Sequence, residues 1–232
     1  MLFAFASAWI FAVCENDIYD RKIDSISNPE RPLTANTLSV IELRSIGLIF
    51  LLLALIAGYA VGHYVLFFVG LFTFIYHIYS APPLRLKRIV FVNSFLVGLA
   101  CLSTILAGFF FLNEDRSVTA IPFSLVSAII LFFTLVSNIR DIKDVEGDRA
   151  DGVKTLPVLL GLERAKYLIA GFICFFFVAI PFYFAIPILY MPGILAAVLS
   201  WIFITAKQYK EWKAFVVYMA YLVVIIIALV WA

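Results

Sequence analysis

An all-α, polytopic transmembrane bundle is the fold class this sequence predicts, and three observations carry it. Hydrophobic residues make up 65% of the 232 and charged ones only 14%, with a mean hydropathy of +1.08, far from the composition of a water-soluble domain. The apolar residues gather into eight long runs, most of them close to the length a helix needs to cross a hydrocarbon layer. The charges are confined almost entirely to the connections between alternate runs.

Residues 1–14 are apolar but short, and they lead straight into an acidic stretch. They read as the end of a transmembrane helix rather than as a signal peptide, since a basic start and a small-residue cleavage site are missing. Further spans are expected at 45–60, 62–80, 89–112, 120–139, 167–184, 186–206 and 215–232. The connections after the first, third, fifth and seventh spans, with the helix ends beside them, hold 16 of the 17 Lys and Arg residues, only Arg116 lying elsewhere. By the positive-inside rule that side is cytoplasmic in a multi-pass protein of the cell membrane. Thirteen of the 15 acidic residues lie there too, the exceptions being Glu114 and Asp115 in the 113–119 connection. The chain is expected to be one membrane domain over residues 1–232, and the order of its segments admits a four-plus-four repeat of 1–112 and 120–232. Cys14, Cys101 and Cys174 lie in apolar segments without metal-ligand spacing and read as small buried hydrophobes. Nothing resembles a basic nucleic-acid surface.

Residues 16–33, NDIYDRKIDSISNPERPL, set Asp17, Asp20 and Asp24 beside these spans, and residues 138–148, NIRDIKDVEGD, repeat the arrangement with Asp141, Asp144 and Asp148. On a helix the i, i+3, i+7 spacing puts each triplet along one face about two turns long. Like charges so close repel one another unless a cation lies among them, and an oxygen-only ligand set suits a hard ion such as Mg²⁺. Because Mg²⁺ is commonly shared between a few carboxylates and substrate phosphates, the chemistry suggested is that of a diphosphate. One such motif reads equally well as a solvated acidic helix end; two with matching spacing favour a site. Arg31, between Pro29 and Pro32, is either a salt-bridge partner of the aspartates or a group that reaches a phosphate oxygen. Arg85, Lys87 and Arg88 follow a rigid Pro82-Pro83 corner. The 141–164 stretch reads as a loop, in which Gly147 and Gly152 predict tight turns or mobility. His63 and His77 read as satisfied or interfacial histidines rather than as bases.

Together, NDIYDRKID, NPERPL, YSAPPLRLKR and DVEGDRADGVKTLPVLLG resemble the UbiA superfamily of intramembrane prenyltransferases, marked by an N-D-x-x-D-x-x-x-D motif and a second D-x-x-x-D motif, here Asp144 to Asp148. The likeness runs to about Gly161; beyond it the helices agree in number and hydrophobicity only. It implies a bundle, normally of nine helices, around a lipid-accessible cavity capped by the two acidic loops. This chain supplies eight runs, with Met1 where the family's second helix would lie. The resemblance further implies two Mg²⁺ ions held by Asn16, Asp17, Asp20, Asp24, Asp144 and Asp148, with Asp141 as an added local candidate. Arg31, Arg85 and Lys87 would contact the diphosphate of an allylic polyprenyl substrate, and Tyr79 would lie near its allylic end. Asp20, Asp144 and Tyr79 are the expected catalytic residues. The expected reaction moves the polyprenyl group to a lipophilic acceptor, namely a quinone precursor, a glycerol-phosphate lipid or a chlorophyll-type alcohol, and releases diphosphate. DVEGD and YSAPPLRLK lean towards the chlorophyll, homogentisate and archaeal-lipid types. A membrane transporter of divalent cations or organic anions is the alternative; transporters place ionisable ligands near the midplane, where these spans contain almost none.

Overall fold

Every regular element is helical in the computed structural model of the chain, which describes residues 1–113 and 117–231. Glu114, Asp115 and Arg116, and with them the centre of the 113–119 connection, lie outside these residues. The helices are α1 (Leu2–Tyr19), α2 (Arg21–Ser27), α3 (Val40–Val61), α4 (His63–Ser80), α5 (Val92–Leu112), α6 (Phe123–Val136), α7 (Asp141–Asp151), α8 (Leu156–Leu160), α9 (Leu162–Tyr183), α10 (Tyr190–Thr205) and α11 (Glu211–Trp231). Among the described residues, 7 are long and apolar enough to cross a membrane, or up to 8 if a bent pair counts as one span.

The 120–139 run is helical from Phe123 to Ile139, the 14 residues of α6 being followed by a 3₁₀ turn at Ser137–Ile139, and the chain bends by 73° into α7 just beyond it. Polarity explains the bend, because the next residues, Arg140, Asp141, Lys143 and Asp144, cannot continue into hydrocarbon. The 141–164 stretch, expected as a loop, forms α7, α8 and the start of α9. The second acidic triplet therefore does share one helix, α7. The first does not. Asp20 is both the C-cap of α1 and the N-cap of α2, with φ −99° and ψ 9°, so Asp17 and Asp24 sit on different helices. The backbone ladder nevertheless carries across, Asp20 N bonding Asn16 O and Asp24 N bonding Asp20 O, each at 2.8 Å.

The chain forms two compact units. The first contains Met1–Thr134 and Glu146–Thr155; the second contains Leu135–Val145 and the chain from Leu156 onward. In the first, Ala4, Ala8 and Ala12 make a stripe of small residues along α1, with Ala54 of α3 equally buried. Small side chains let membrane helices approach closely enough for dispersion forces to hold them. Aromatic packing joins α4 to α5: Phe110 lies 5.4 Å from Tyr64 and 5.7 Å from Phe68, ring centre to centre. The second unit is built on α9 and α10. A Cβ on Gly193 would stand 2.3 Å from Phe177 O, so glycine is what permits this crossing, and Tyr221 of α11 packs edge-on to Phe177 at 4.9 Å.

Candidate functional site

The first acidic triplet lies in the first unit and is buried: Asp17 is 5% exposed, Asp20 6% and Asp24 3%. Carboxylates are found at such depth only when their charge is compensated, and basic side chains compensate it here. Arg31 bonds Asp17 through Nη1 and faces Asp24 Oδ1 through Nε at 3.5 Å. The Asn28 amide donates to the same Asp24 oxygen at 2.9 Å. Asp20 Oδ1 meets the Lys87 ammonium and Arg85 Nη2, the latter at 3.2 Å.

Two turns place these cations. Beyond α2, which ends before Pro29 as the prolines predict, Arg31 N donates to Asn28 O at 3.1 Å and Thr34 Oγ1 to Arg31 O at 2.9 Å. Beyond α4, Arg85 adopts a left-handed φ of 41°, a conformation that costs a non-glycine residue on the order of 1–3 kcal/mol. The 3₁₀ turn Leu86–Arg88 then buries Lys87. Ser80 Oγ, at the end of α4, donates to Asn16 Oδ1 at 3.2 Å.

The last part of α7, in the same unit, packs on α2. Gly147 lies not in a turn but in the body of α7, where a Cβ would be 2.6 Å from Ser27 Oγ and 2.8 Å from Ile23 O. Only glycine allows the two helices to come this close. Lys22 Nζ donates to Ala150 O at 2.7 Å, and Lys154 N to Arg88 O at 3.3 Å. These contacts fix Asp148, buried and accepting from Thr155 Oγ1 at 3.3 Å. Asp151 receives Arg85 Nη1 at 3.0 Å and Arg88 Nη2 at 3.1 Å, with Lys22 at 3.9 Å. Asp151, Lys22 and Thr155 are absent from the expected site; Asp151 continues the register of Asp141, Asp144 and Asp148, a helical period that could have found it. Gly152, at φ 73°, ends α7 in a turn as expected, with Val153 N bonded to Asp148 O at 2.9 Å.

Asp141 and Asp144 begin α7 in the second unit. Lys143 between them pairs with Glu211 at 2.8 Å, and Tyr209 Oη donates to Ile139 O at 3.2 Å. Burial, then the charges of Glu211 and Asp144, hold the Tyr209 phenol above its ordinary pKa. In the first unit Tyr79 closes α4, packed against the apolar core with its ring 6.1 Å from Tyr76. His77 is paired with Glu15 at 2.8 Å, a satisfied histidine as expected.

With this geometry in hand, comparison with known proteins decides the family, because residues 1–224 match the UbiA prenyltransferase family. The chain belongs to that family. This UbiA chain is 31% identical over 185 residues to the digeranylgeranylglyceryl phosphate synthase of Sulfurisphaera tokodaii, a match covering 78% of this chain and 64% of the relative. It is 36% identical over 167 residues to the chloroplast chlorophyll synthase of Arabidopsis thaliana, covering 67% and 42%. The chain thus spans 64% and 42% of the length of these curated relatives. A UbiA homologue of Archaeoglobus fulgidus, solved with GPP and Mg²⁺, shares the fold with a TM-score of 0.71 over 99% of this chain and 85% of that one, at 20% identity.

The UbiA family implies Mg²⁺, and the donors present suit it. They are carboxylate oxygens with the Asn16 amide beside them, the hard ligands this ion takes. Asp24 Oδ2 is buried and accepts no hydrogen bond. Burial pushes the Asp24 carboxyl up to about 6, against the pull of Arg31 and the Asn28 amide. A buried oxygen without a donor is a lone pair available to a cation. Among the described residues no three His, Cys, Asp or Glu side chains close on a single point; Mg²⁺ commonly takes one or two carboxylates and completes its shell with phosphate and water.

Proposed function

We propose that this UbiA-family chain transfers the polyprenyl group of an allylic polyprenyl diphosphate to a lipophilic acceptor, releasing diphosphate. One observation carries the reading: Asp17, Asp20, Asp24 and Asp148 are buried in one unit with Arg31, Arg85 and Lys87 at the polar ends of apolar helices. Acids for a divalent ion and bases for phosphate oxygens are thereby gathered where a lipid-soluble chain has access. Bound Mg²⁺, two ions by the family pattern, would neutralise the charge that develops on the leaving diphosphate. Asp17, Asp20, Asp24 and Asp148 would hold it, with the Asn16 amide beside them; Asp141 and Asp144 are proposed as ion ligands on motif spacing alone. Arg31, Arg85 and Lys87 turn their N–H groups to the diphosphate oxygens and stabilise the leaving group as the allylic C–O bond lengthens. Tyr79 offers an aromatic face to the allylic cation. The apolar surroundings exclude water, so the acceptor rather than water captures that cation.

The GPP and Mg²⁺ held by the Archaeoglobus homologue and the synthase activities named for the two relatives support the class. They make a glycerol-phosphate lipid and a chlorophyll-type alcohol the first acceptors to try, followed by quinone precursors. The test is protein in lipid nanodiscs, supplied with geranylgeranyl diphosphate and each acceptor, with diphosphate release and product mass as readouts. Release with Mg²⁺ and none with EDTA is expected. Turnover indifferent to EDTA sinks the metal role, and an absence of prenylated product from every acceptor sinks the transferase reading.

A further inference from the structure

The connection between α10 and α11 is tied down at three points. Its first carbonyl, Ala206 O, accepts from Lys166 Nζ at 3.0 Å. Lys166 is 2% exposed and its other bond goes to Glu163, also at 3.0 Å, so a buried ammonium is committed to the C-terminal end of α10, where the helix dipole favours positive charge. Further on, Tyr209 Oη donates to Ile139 O at 3.2 Å, and Glu211 Oε2 meets Lys143 Nζ at 2.8 Å. All of these residues belong to the second unit. Ile139 closes the 3₁₀ turn at the 73° bend, and Lys143 stands between Asp141 and Asp144 in the first turn of α7. A bend in the helical ladder leaves carbonyls short of their usual donors. Tyr209 supplies one from 70 residues away.

We propose that residues 206–211 form a strap that fixes the first turn of α7, with Tyr209 as a positioning residue for the carboxylates of Asp141 and Asp144. The proposal rests on the reading of Asp144 as an ion ligand. The Lys143–Glu211 pair cannot do this alone, since its side chains are 37% and 33% exposed and pairs so open to solvent contribute little. The half-buried phenol, donating to the Ile139 carbonyl, sets the geometry, and ion ligands must be held to within about 0.5 Å.

The test uses the full chain in nanodiscs and two readouts. One is backbone hydrogen exchange over residues 139–146; the other is Mn²⁺ affinity by electron paramagnetic resonance in the presence of pyrophosphate. Tyr209→Phe removes only the hydroxyl. It is expected to speed exchange over 139–146 roughly three- to tenfold, the worth of one net hydrogen bond, to leave residues 167–180 unchanged, and to weaken Mn²⁺ binding by a similar factor. Glu211→Gln is expected to change exchange less than about twofold; an effect larger than that of Tyr209→Phe overturns the assignment to the phenol. Wild-type exchange in Tyr209→Phe overturns the strap. Faster exchange with wild-type Mn²⁺ affinity overturns the positioning role when Asp144→Asn does weaken Mn²⁺. Should Asp144→Asn bind Mn²⁺ like the wild type, the ligand reading fails and the positioning role falls with it, while the exchange data still decide whether the strap exists.

Discussion

Burial lifts the Asp24 carboxyl from 3.8 to about 6, so the folded protein binds a proton there more tightly than the unfolded chain does. Stability from this source is fully present below the unfolded value and is lost as the pH rises through the folded one. In EDTA, the melting temperature of the wild type should therefore fall between about pH 4 and pH 7, and Asp24→Asn should flatten that slope; thermal unfolding at a series of pH values measures it. Asp20 is a different case. The repulsion among aspartates that the bare sequence suggests is already relieved by Arg31, Arg85 and Lys87, so removing a charge does not stabilise the fold. Asp20→Asn leaves Lys87, 5% exposed, facing an amide, and breaking a buried pair from one side costs up to about 3–5 kcal/mol. Asp20→Asn and Asp144→Asn are each expected to lower prenyl transfer by at least about 100-fold, with a clear loss of melting temperature in Asp20→Asn. Diphosphate release and unfolding curves on the same preparations separate the two effects.

Among the elements, the α2–α7 contact sets a contest between propensity and sterics. Alanine at Gly147 would gain about 0.5–1 kcal/mol of helix propensity. Its Cβ would also stand 2.8 Å from Ile23 O, a backbone atom that cannot rotate away, and overpacking of this kind costs typically 1–3 kcal/mol. Sterics win: Gly147→Ala should lower stability by about 1–2 kcal/mol and weaken pyrophosphate binding, as melting and calorimetry would show. This is also where sequence reasoning runs short. The long helices were legible because a span is set by length and composition alone, and the register of Asp141, Asp144 and Asp148 along α7 was legible because a helical period is local. The role of Gly147 was not, since glycine's freedom suggests a turn and only Ile23, far away in the chain, reveals the need for close approach. The break at Asp20 likewise lies where Arg85 and Lys87, distant in the chain, meet its carboxylate, a contact no local pattern announces. For Arg31 the sequence left both partners open, an aspartate or a phosphate, for a chemical reason: a guanidinium serves a carboxylate and a phosphate equally well.

For the molecule as a whole, 16 of 17 Lys and Arg residues lie on one set of connections, from which we propose, by the positive-inside rule, that the acidic turns are cytoplasmic. Glu30→Cys and Lys154→Cys, at two exposed positions, should label from one side of sealed vesicles and Thr119→Cys from the other. Labelling of positions 30 and 154 from opposite sides would separate the two motifs and abolish the shared site. Within the first unit, Asp17, Asp20 and Asp24 each face a base already. On the proposed function, a divalent ion that took Asp17 and Asp24 would draw them from Arg31, which is partly solvated, and a diphosphate that took Arg85 and Lys87 would leave the buried Asp20 uncompensated, at several kcal/mol. Arriving together, the two ligands trade partners with the protein and nothing is left over. On the proposed function, the unit would behave as a mixed-bed ion exchanger, releasing its internal salt only against an incoming one, and the affinity for each ligand would rise with the other by the same factor. Mn²⁺ alone should bind at least about tenfold more weakly than Mn²⁺ with pyrophosphate, after correction for their association in solution, and Arg31→Gln should shrink that ratio by tightening the ion's binding on its own.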